Sequence, residues 1–287
     1  MTPSAAGFVR SYSERLPYFQ AICRAIEHFQ KDTATSTPRE AATIAKAEHL
    51  LKSKQFDTVV RLSNELELSD TVRVNPKFMA ICGRALVQAE HSDLVKARDV
   101  FRSASNFGFD DIFMMRAWYH AERKSGYRYT EAIQICRLVV DNPRYSSRHR
   151  SEFWSKIGEC NATQARSLYG NDNPDKMKLY AESVISYSWG LHYAASSTEI
   201  DQTLTLDWLS RALDGYISCA NGDFRVLLNS FEEPIKAGIV FGPEAAKVFQ
   251  VSVTGSSRTR DIKALRKYHG TLIMGISAIT RFAGKRH

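Results

Sequence analysis

The chain has 287 residues, of which 44% are hydrophobic and 24% are charged. This composition is typical of a globular protein, and it excludes a disordered or collagen-like chain over most of the length. The formal net charge is +8, and residues 255–287 hold eight Lys or Arg against the single acid Asp261, a local charge of +7 that leaves +1 for residues 1–254. The basic character therefore belongs to the C-terminal segment.

Apolar residues recur at i, i+3, i+4 and i+7 along most of the chain, and this spacing predicts amphipathic helices. Strand-like alternation is almost absent, so the expected fold class is all-α. The predicted helices cover, in chain order, residues 8–30, 38–53, 56–67, 76–89, 93–106, 111–125, 128–141, 149–168, 174–195, 201–220, 223–239, 243–252 and 258–280.

Three polar stretches interrupt this series of helices. Residues 31–38 (KDTATSTP) form a linker or hairpin loop, residues 171–174 (NDNP) join two helices, and residues 252–257 (SVTGSS) precede the basic segment. The predicted domains are an N-terminal helix and linker over 1–37, a helical-repeat domain over 38–254 and a basic C-terminal helical segment over 255–287.

Successive helical hairpins repeat a pattern in which small residues stand where the helices approach and a large apolar residue stands beside them. The residues that carry this pattern are, hairpin by hairpin, Ala47, Leu50 and Phe56; Cys82, Gly83, Leu86, Leu94, Ala97, Phe101 and Ala104; Tyr129, Ala132, Cys136 and Val139; and Trp154, Ile157 and Gly158.

The pattern resembles the tetratricopeptide repeat, which pairs two helices over about 34 residues. The spacing from Ala97 through Phe101 to Ala104 matches the signature of its second helix, and Trp154-x-x-Ile157-Gly158 resembles the motif of its first helix. The resemblance covers about residues 40–220. It implies an α-solenoid of stacked antiparallel hairpins, whose first helices line a concave groove; the alternative is a generic helical bundle with coincidental spacing.

No motif with catalytic or metal-binding spacing stands out in the sequence. The cysteines lie far apart, mostly in apolar helical stretches, which indicates reduced core residues rather than a disulfide framework or a zinc site. They are Cys23, Cys82, Cys136, Cys160 and Cys219. We therefore predict a protein that is not an enzyme and that holds neither a metal nor another cofactor.

One weak catalytic signal is the pair Arg144 and His149, whose R-x-x-x-x-H spacing resembles that of the HEPN ribonucleases, which are also all-helical. The pair follows Asn142-Pro143, so it is predicted in a loop or in a first helical turn. Together with Arg148 and Arg150, these residues form a basic cluster. A solvated loop explains the same residues without any catalytic role.

The helix predicted over 111–125 carries a basic face at i, i+4, i+7 and i+8. In the family that the chain resembles, this face would line the groove together with two cations of the preceding hairpin. Such a surface suits an acidic peptide or a terminal carboxylate through charge-assisted hydrogen bonds; the alternative is a simple solvated face. The six candidate residues are Lys77, Arg84, Arg116, His120, Arg123 and Lys124.

The C-terminal segment is a second candidate binding site. A basic helix with an apolar edge leads into the apolar stretch from Leu272 to Ile279, and further cations follow. This segment could contact the phosphates of RNA or DNA, with strong salt dependence, could dock on a partner subunit, or could simply close the solenoid. Its candidate residues are Arg258, Arg260, Lys263, Arg266, Lys267, Arg281, Lys285 and Arg286.

The first function hypothesis is a non-catalytic scaffold or adaptor that binds another protein within a multi-subunit assembly. The second is a nucleic-acid-associated subunit that uses the basic C-terminal segment, and the third is a HEPN-like ribonuclease.

The chain start lacks the basic and apolar regions of a secretory signal, and no stretch approaches the roughly 18 apolar residues of a spanning helix. We therefore expect a cytoplasmic protein without membrane contact.

Overall fold

The computed structural model describes residues 37–65, 68–126, 128–170, 172–195, 201–220 and 225–239, together with positions 245, 247 and 248. Within these residues the backbone forms helices joined by turns, and it contains no β-strand. The prediction of an all-α protein is therefore confirmed. The predicted helices over 8–30 and 258–280, and most of the helix over 243–252, lie outside the described residues.

The chain divides into two compact units, Met1–Ala117 and Trp118–His287. The division falls inside the predicted helical-repeat domain over 38–254. The helices of the first unit are α1 (Pro38–Lys52), α2 (Phe56–Ser63), α3 (Asp70–Arg73), α4 (Pro76–Gln88), α5 (Leu94–Asn106) and the beginning of α6 (Ile112–Lys124).

Local capping fixes the starts of two helices in the first unit. The Thr37 hydroxyl accepts the N–H of Glu40, and the Glu40 carboxylate accepts the N–H of Thr37, which is a capping box. The Asn75 side chain accepts two N–H groups of the first turn of α4, where Pro76 needs no partner of its own. The predicted starts at residues 38 and 76 agree with the structure for this reason.

Helix α4 lies at the centre of the first unit and packs against α1, α2 and α5. Its residues Phe78, Ile81 and Ala85 belong to an apolar core that also includes buried residues of α1 and α2. The ring of Phe101 on α5 lies against Gly83 of α4, where an added Cβ would be only 2.5 Å from the ring. The absence of a side chain at Gly83 therefore permits the close approach of α4 and α5.

The second unit begins with the end of α6 and continues through longer helices. These are α7 (Tyr129–Val140), α8 (Ser147–Ser167), α9 (Pro174–Ala195), α10 (Thr203–Ala220), α11 (Arg225–Ser230) and α12 (Glu232–Lys236). Helix α8 packs extensively against α9 and also against α7, while α9 packs against α10 and α11.

A glycine under an aromatic ring recurs in the second unit. Tyr187 of α9 lies against Gly158 of α8, where an added Cβ would be 2.8 Å from the ring. The Ser183 hydroxyl donates a hydrogen bond of 2.8 Å to the carbonyl of Gly158. Tyr180 lies in the same way against Gly215 of α10. Helix α9 therefore approaches both α8 and α10 at a glycine.

The structure differs from the predicted helices at two places. Helix α2 ends at Ser63 rather than at residue 67, and the short helix α3 follows it, capped by Ser69. The helix predicted over 223–239 is divided into α11 and α12 at Phe231. Pro234 explains this division, because in a continuous helix its ring would clash with the carbonyl of Ser230.

Cysteines that the structure describes are free and buried. This confirms the prediction of reduced core residues at four positions, namely Cys82, Cys136, Cys160 and Cys219, while Cys23 lies outside the described residues. Burial raises the pKa of the Cys82 thiol to about 12 and that of Cys160 to about 11.

In the described part of the chain, no helix combines the length and the apolar content that a membrane span requires.

Candidate protein-binding surface

The six candidate groove residues are divided equally between the two units. Three of them, Lys77, Arg84 and Arg116, lie in the first unit, and His120, Arg123 and Lys124 lie in the second.

Lys77, at the start of α4, forms an ion pair with Glu48 of α1, with 2.8 Å between Nζ and Oε2. Lys52 contacts the other oxygen of the same carboxylate at 3.0 Å. The hydrogen bond from Lys77, followed by that from Lys52, lowers the pKa of Glu48 from 4.5 to about 2. Lys77 is thus already bound within the unit, where it joins α1 to α4.

An exposed aromatic side chain lies beside the other two candidates of the first unit. Phe113, in the first turn of α6, has 54% of its surface exposed. The guanidinium carbon of Arg84 lies 5.3 Å from the centroid of its ring, and that of Arg116 lies 5.8 Å from it. Arg84, Phe113 and Arg116 are called the Phe113 patch below.

Local sequence explains how Phe113 comes to face outward. The carboxylate of Asp111 accepts the N–H of Met114 at 3.0 Å and so caps the start of α6. The buried side of the helix is taken by Met114, Met115 and Ala117, so Phe113 shares the opposite side with Arg116, three residues later. The sequence prediction selected Arg116 on this helix but missed Phe113, although an apolar residue on a basic helix face is a signal of an exposed apolar group.

The electrostatics of the Phe113 patch suit an anion with an apolar group. Desolvation lowers the pKa of Arg84, while the nearby carboxylates of Asp111 and Glu48 act in the opposite direction. A guanidinium over a ring face interacts with the ring, and the forked geometry of its N–H groups matches a carboxylate. The patch therefore combines an exposed apolar ring with two fork-shaped donors.

In the second unit, Arg123 is used in packing. Its Nη2 atom lies 3.2 Å from Oε1 of Glu159 on α8, and its guanidinium lies over the ring of Tyr129 on α7 at 4.9 Å. The hydroxyl of Tyr119 donates to Glu159 at 3.3 Å, and burial raises the pKa of Tyr119. Because the Arg123 side chain is only 20% exposed, we interpret it as a structural link among α6, α7 and α8.

His120 and Lys124 are exposed on α6. Desolvation lowers the pKa of His120, and the charges of Lys156 and Lys124 act in the same direction, against those of Glu159 and Glu152. His120 is therefore more strongly biased towards its neutral form than a free histidine. It contributes less positive charge to this face than the sequence suggested.

Arg144 and His149 lie where the sequence predicted them. Arg144 is exposed in the turn after α7, and His149 is in the first turn of α8, where its N–H donates to the Ser146 hydroxyl at 3.4 Å. The imidazole ring of His149 meets Tyr145 edge to face at 6.3 Å. In the same basic cluster, Arg150 donates to a main-chain carbonyl at 3.0 Å and lies over an aromatic ring.

Two predictions remain, the basic C-terminal site and the expected lack of a metal site. The eight C-terminal candidates, from Arg258 to Arg286, lie outside the described residues. Within the described part of the chain, no group of three or more His, Cys, Asp or Glu side chains is arranged to hold a metal ion.

Comparisons with known proteins were made by sequence family, by curated sequence and by structure. No protein-family model, no curated protein and no solved structure matches this chain. The functional argument therefore depends on the chemistry of the described surfaces.

Proposed function

We propose that this protein is a non-catalytic helical-repeat scaffold of the tetratricopeptide type, and that it binds another protein within a multi-subunit assembly. One support is the recurring helix pair in which an aromatic residue lies against a glycine, Phe101 on Gly83 and Tyr187 on Gly158. Stacked hairpins need such small residues, because a single hairpin cannot bury its own apolar face.

The observation that carries the proposal is the Phe113 patch. Phe113 is 54% exposed, so the isolated protein leaves apolar surface in contact with water. Burying that surface against a partner would be favourable. Aromatic and arginine side chains are enriched among the residues that contribute most to binding at protein interfaces. The partner chemistry that fits is an acidic segment with an apolar side chain, whose carboxylate pairs with Arg84 or Arg116 while its apolar group covers Phe113.

The test is quantitative affinity capture from a lysate of the native host with immobilised wild-type protein and two matched variants. Phe113→Ser removes the exposed ring of the patch. Leu204→Ser is the control, since Leu204 is also 54% exposed but lies on α10 in the other unit. We expect the chains retained by the wild type to be retained by the control and depleted about tenfold or more by Phe113→Ser.

A second variant tests the role of the charges. Arg84→Gln combined with Arg116→Gln should deplete the same chains, and the loss should be greater at low salt, where charge attraction is stronger. Capture of no reproducible partner by the wild type would contradict the scaffold proposal. Equal capture by wild type and Phe113→Ser would remove the Phe113 patch as its binding surface.

A further inference from the structure

A second surface, with no residue in common with the Phe113 patch, is a cleft of about 370 Å³ between α2, α4 and α5 of the first unit. Its floor is apolar, because Phe78, Cys82 and Leu86 line it and each is more than nine-tenths buried. Ligand sites occupy about 300–1,000 Å³, so this volume is near the lower end of that range. It suits one or two side chains better than a long acyl chain.

Two cationic side chains, Arg73 and Lys96, line this cleft. The Arg73 guanidinium donates to the main-chain carbonyls of Glu65 at 2.7 Å and Leu68 at 3.2 Å. The Lys96 ammonium donates to the side-chain oxygen of Asn64 at 3.1 Å. Because these acceptors are neutral, the contacts hold both cations in place without cancelling their charge. The amide group of Asn64 adds N–H donors beside Lys96.

The acid in the lining, Asp99, is paired with Arg102 of its own helix at 3.2 Å. Two hydroxyls complete the polar part of the lining. Ser63 donates to a main-chain carbonyl at 2.7 Å, and Ser103 donates to the carbonyl of Asp99 at 2.9 Å. Each hydroxyl oxygen still has lone pairs that can accept the N–H of a peptide. The cleft thus offers an apolar floor, cationic donors and acceptors for a peptide backbone.

We propose that this cleft binds the carboxyl-terminal residue of a peptide that ends in a large apolar side chain. The apolar side chain rests on Phe78, Cys82 and Leu86, and the terminal carboxylate pairs with Lys96 and Arg73. Recognition of this kind combines hydrophobic burial with charge-assisted hydrogen bonds. The proposal is independent of the Phe113 patch and remains testable if that patch binds nothing.

The probes are short peptides labelled with fluorescein at the N-terminus and read by fluorescence anisotropy against the full chain. One peptide, Gly-Ser-Gly-Ser-Leu, ends in a free carboxylate; a second has the same sequence with a terminal amide; a third ends in Ser instead of Leu. We expect the first peptide to bind, and we expect the other two to bind about tenfold more weakly or less.

Matched variants locate the binding. Lys96→Gln should weaken binding of the Leu-terminated peptide about tenfold. Arg61→Gln removes an exposed charge from α2 outside the cleft lining, so it should change the affinity by less than about twofold. Ser103→Phe should abolish binding by filling the cleft, with helical content and Tm measured to verify folding. Phe113→Ser should leave the affinity unchanged.

Three results would overturn the proposal. The first is the absence of binding by the Leu-terminated peptide up to about 1 mM, the weak end of specific association. The second is equal affinity of the free acid and the amide, or equal losses for Lys96→Gln and Arg61→Gln. The third is displacement of the peptide by octanoate at equal concentration, which would assign the cleft to fatty acids.

Discussion

The ring of Phe101 lies against the Cα of Gly83, so that a methyl group added to the glycine would come within 2.5 Å of the Cε1 atom. Phe101 is fully buried and has little room to move. We predict that Gly83→Ala lowers the free energy of unfolding by about 1–2 kcal/mol. Overpacking costs about 1–3 kcal/mol, and the higher helix propensity of alanine offsets up to about 1 kcal/mol.

The measurement is chemical denaturation of Gly83→Ala in two backgrounds, the wild type and Phe101→Leu. The smaller leucine leaves room for the added methyl group, so the same substitution should cost less in that background. An equal loss in both backgrounds would show that contact with the Phe101 ring does not cause the destabilisation.

A second prediction concerns the corresponding contact of the second unit. Gly158→Ala should also lower the free energy of unfolding by about 1–2 kcal/mol, because its Cβ would lie 2.8 Å from the buried Tyr187 ring. Gly190→Ala is the comparison in the same helix pair, since its closest neighbour is the Ser155 hydroxyl, a smaller group than a ring. Thermal unfolding should show the smaller decrease for Gly190→Ala, and a reversed order would refute the prediction.

A third prediction concerns the buried carboxylate of Glu122, which is 1% exposed. Its Oε2 atom lies 2.9 Å from Nε of Arg128 in an off-axis geometry, so the contact is an ion pair rather than an aligned hydrogen bond. Arg128 also contacts Glu131 at 2.8 Å. We predict that Arg128→Met lowers the free energy of unfolding by about 3 kcal/mol, because it removes the cation from a buried charge.

The control for this prediction is a double-mutant cycle followed by denaturant unfolding. Glu122→Gln removes the buried charge, so adding Arg128→Met to it should cost clearly less than Arg128→Met alone. Additive losses would show that the two side chains are not energetically coupled. The variant Glu131→Gln should have only a small effect, because both side chains of that contact are partly exposed to solvent.

A fourth prediction concerns acid stability and the ion pair between Lys77 and Glu48. The pKa of Glu48 is lowered from 4.5 to about 2 in the folded protein. A carboxylate with a lowered folded pKa contributes stability that is fully present above the unfolded pKa and is lost as the pH falls through the folded pKa. The contribution should therefore be present at pH 7 and should decline between about pH 4.5 and pH 2.

The measurement is the Tm of the wild type and of Lys77→Met at pH 7, 4 and 2.5. Both residues are partly exposed, so we expect a decrease of only about 2 °C at pH 7, which should shrink in acid. Lys46→Met is the control, since it removes an exposed lysine from α1 without touching the pair. A decrease of equal size at every pH would exclude Glu48 as its cause.

Helix positions were largely predictable because their signals are local. The apolar periodicity gave helix limits close to those observed, and the local caps at Thr37 and Asn75 fix two of the starts. The end of α2 was predicted wrongly because side-chain contacts from beyond the helix act on the backbone there, whereas the break at Phe231 had a local signal in Pro234. Arg73 binds the carbonyls of Glu65 and Leu68 in the segment after α2, and no sequence period signals that contact.

The candidate surface was predictable only in part. The sequence identified Arg84 and Arg116 as groove candidates, and the structure shows that both approach Phe113. It also selected Arg123 and Lys77, which the structure shows in ion pairs with Glu159 and Glu48. A cation on a helix face has the same sequence signal in solvent and in an ion pair, because its partner lies on another helix.

The sequence by itself determined the all-helical fold class, most helix limits and the uneven distribution of charge, because periodicity, caps and composition act within a few residues. Gly158 belongs to the first-helix motif that resembles the tetratricopeptide repeat, and its contact with Tyr187 repeats the contact of Gly83 with Phe101. Only the tertiary structure decided which rings lie on which glycines, which cations are engaged and where a cleft opens. Those features depend on pairs of residues that lie far apart in sequence and meet only when the helices pack.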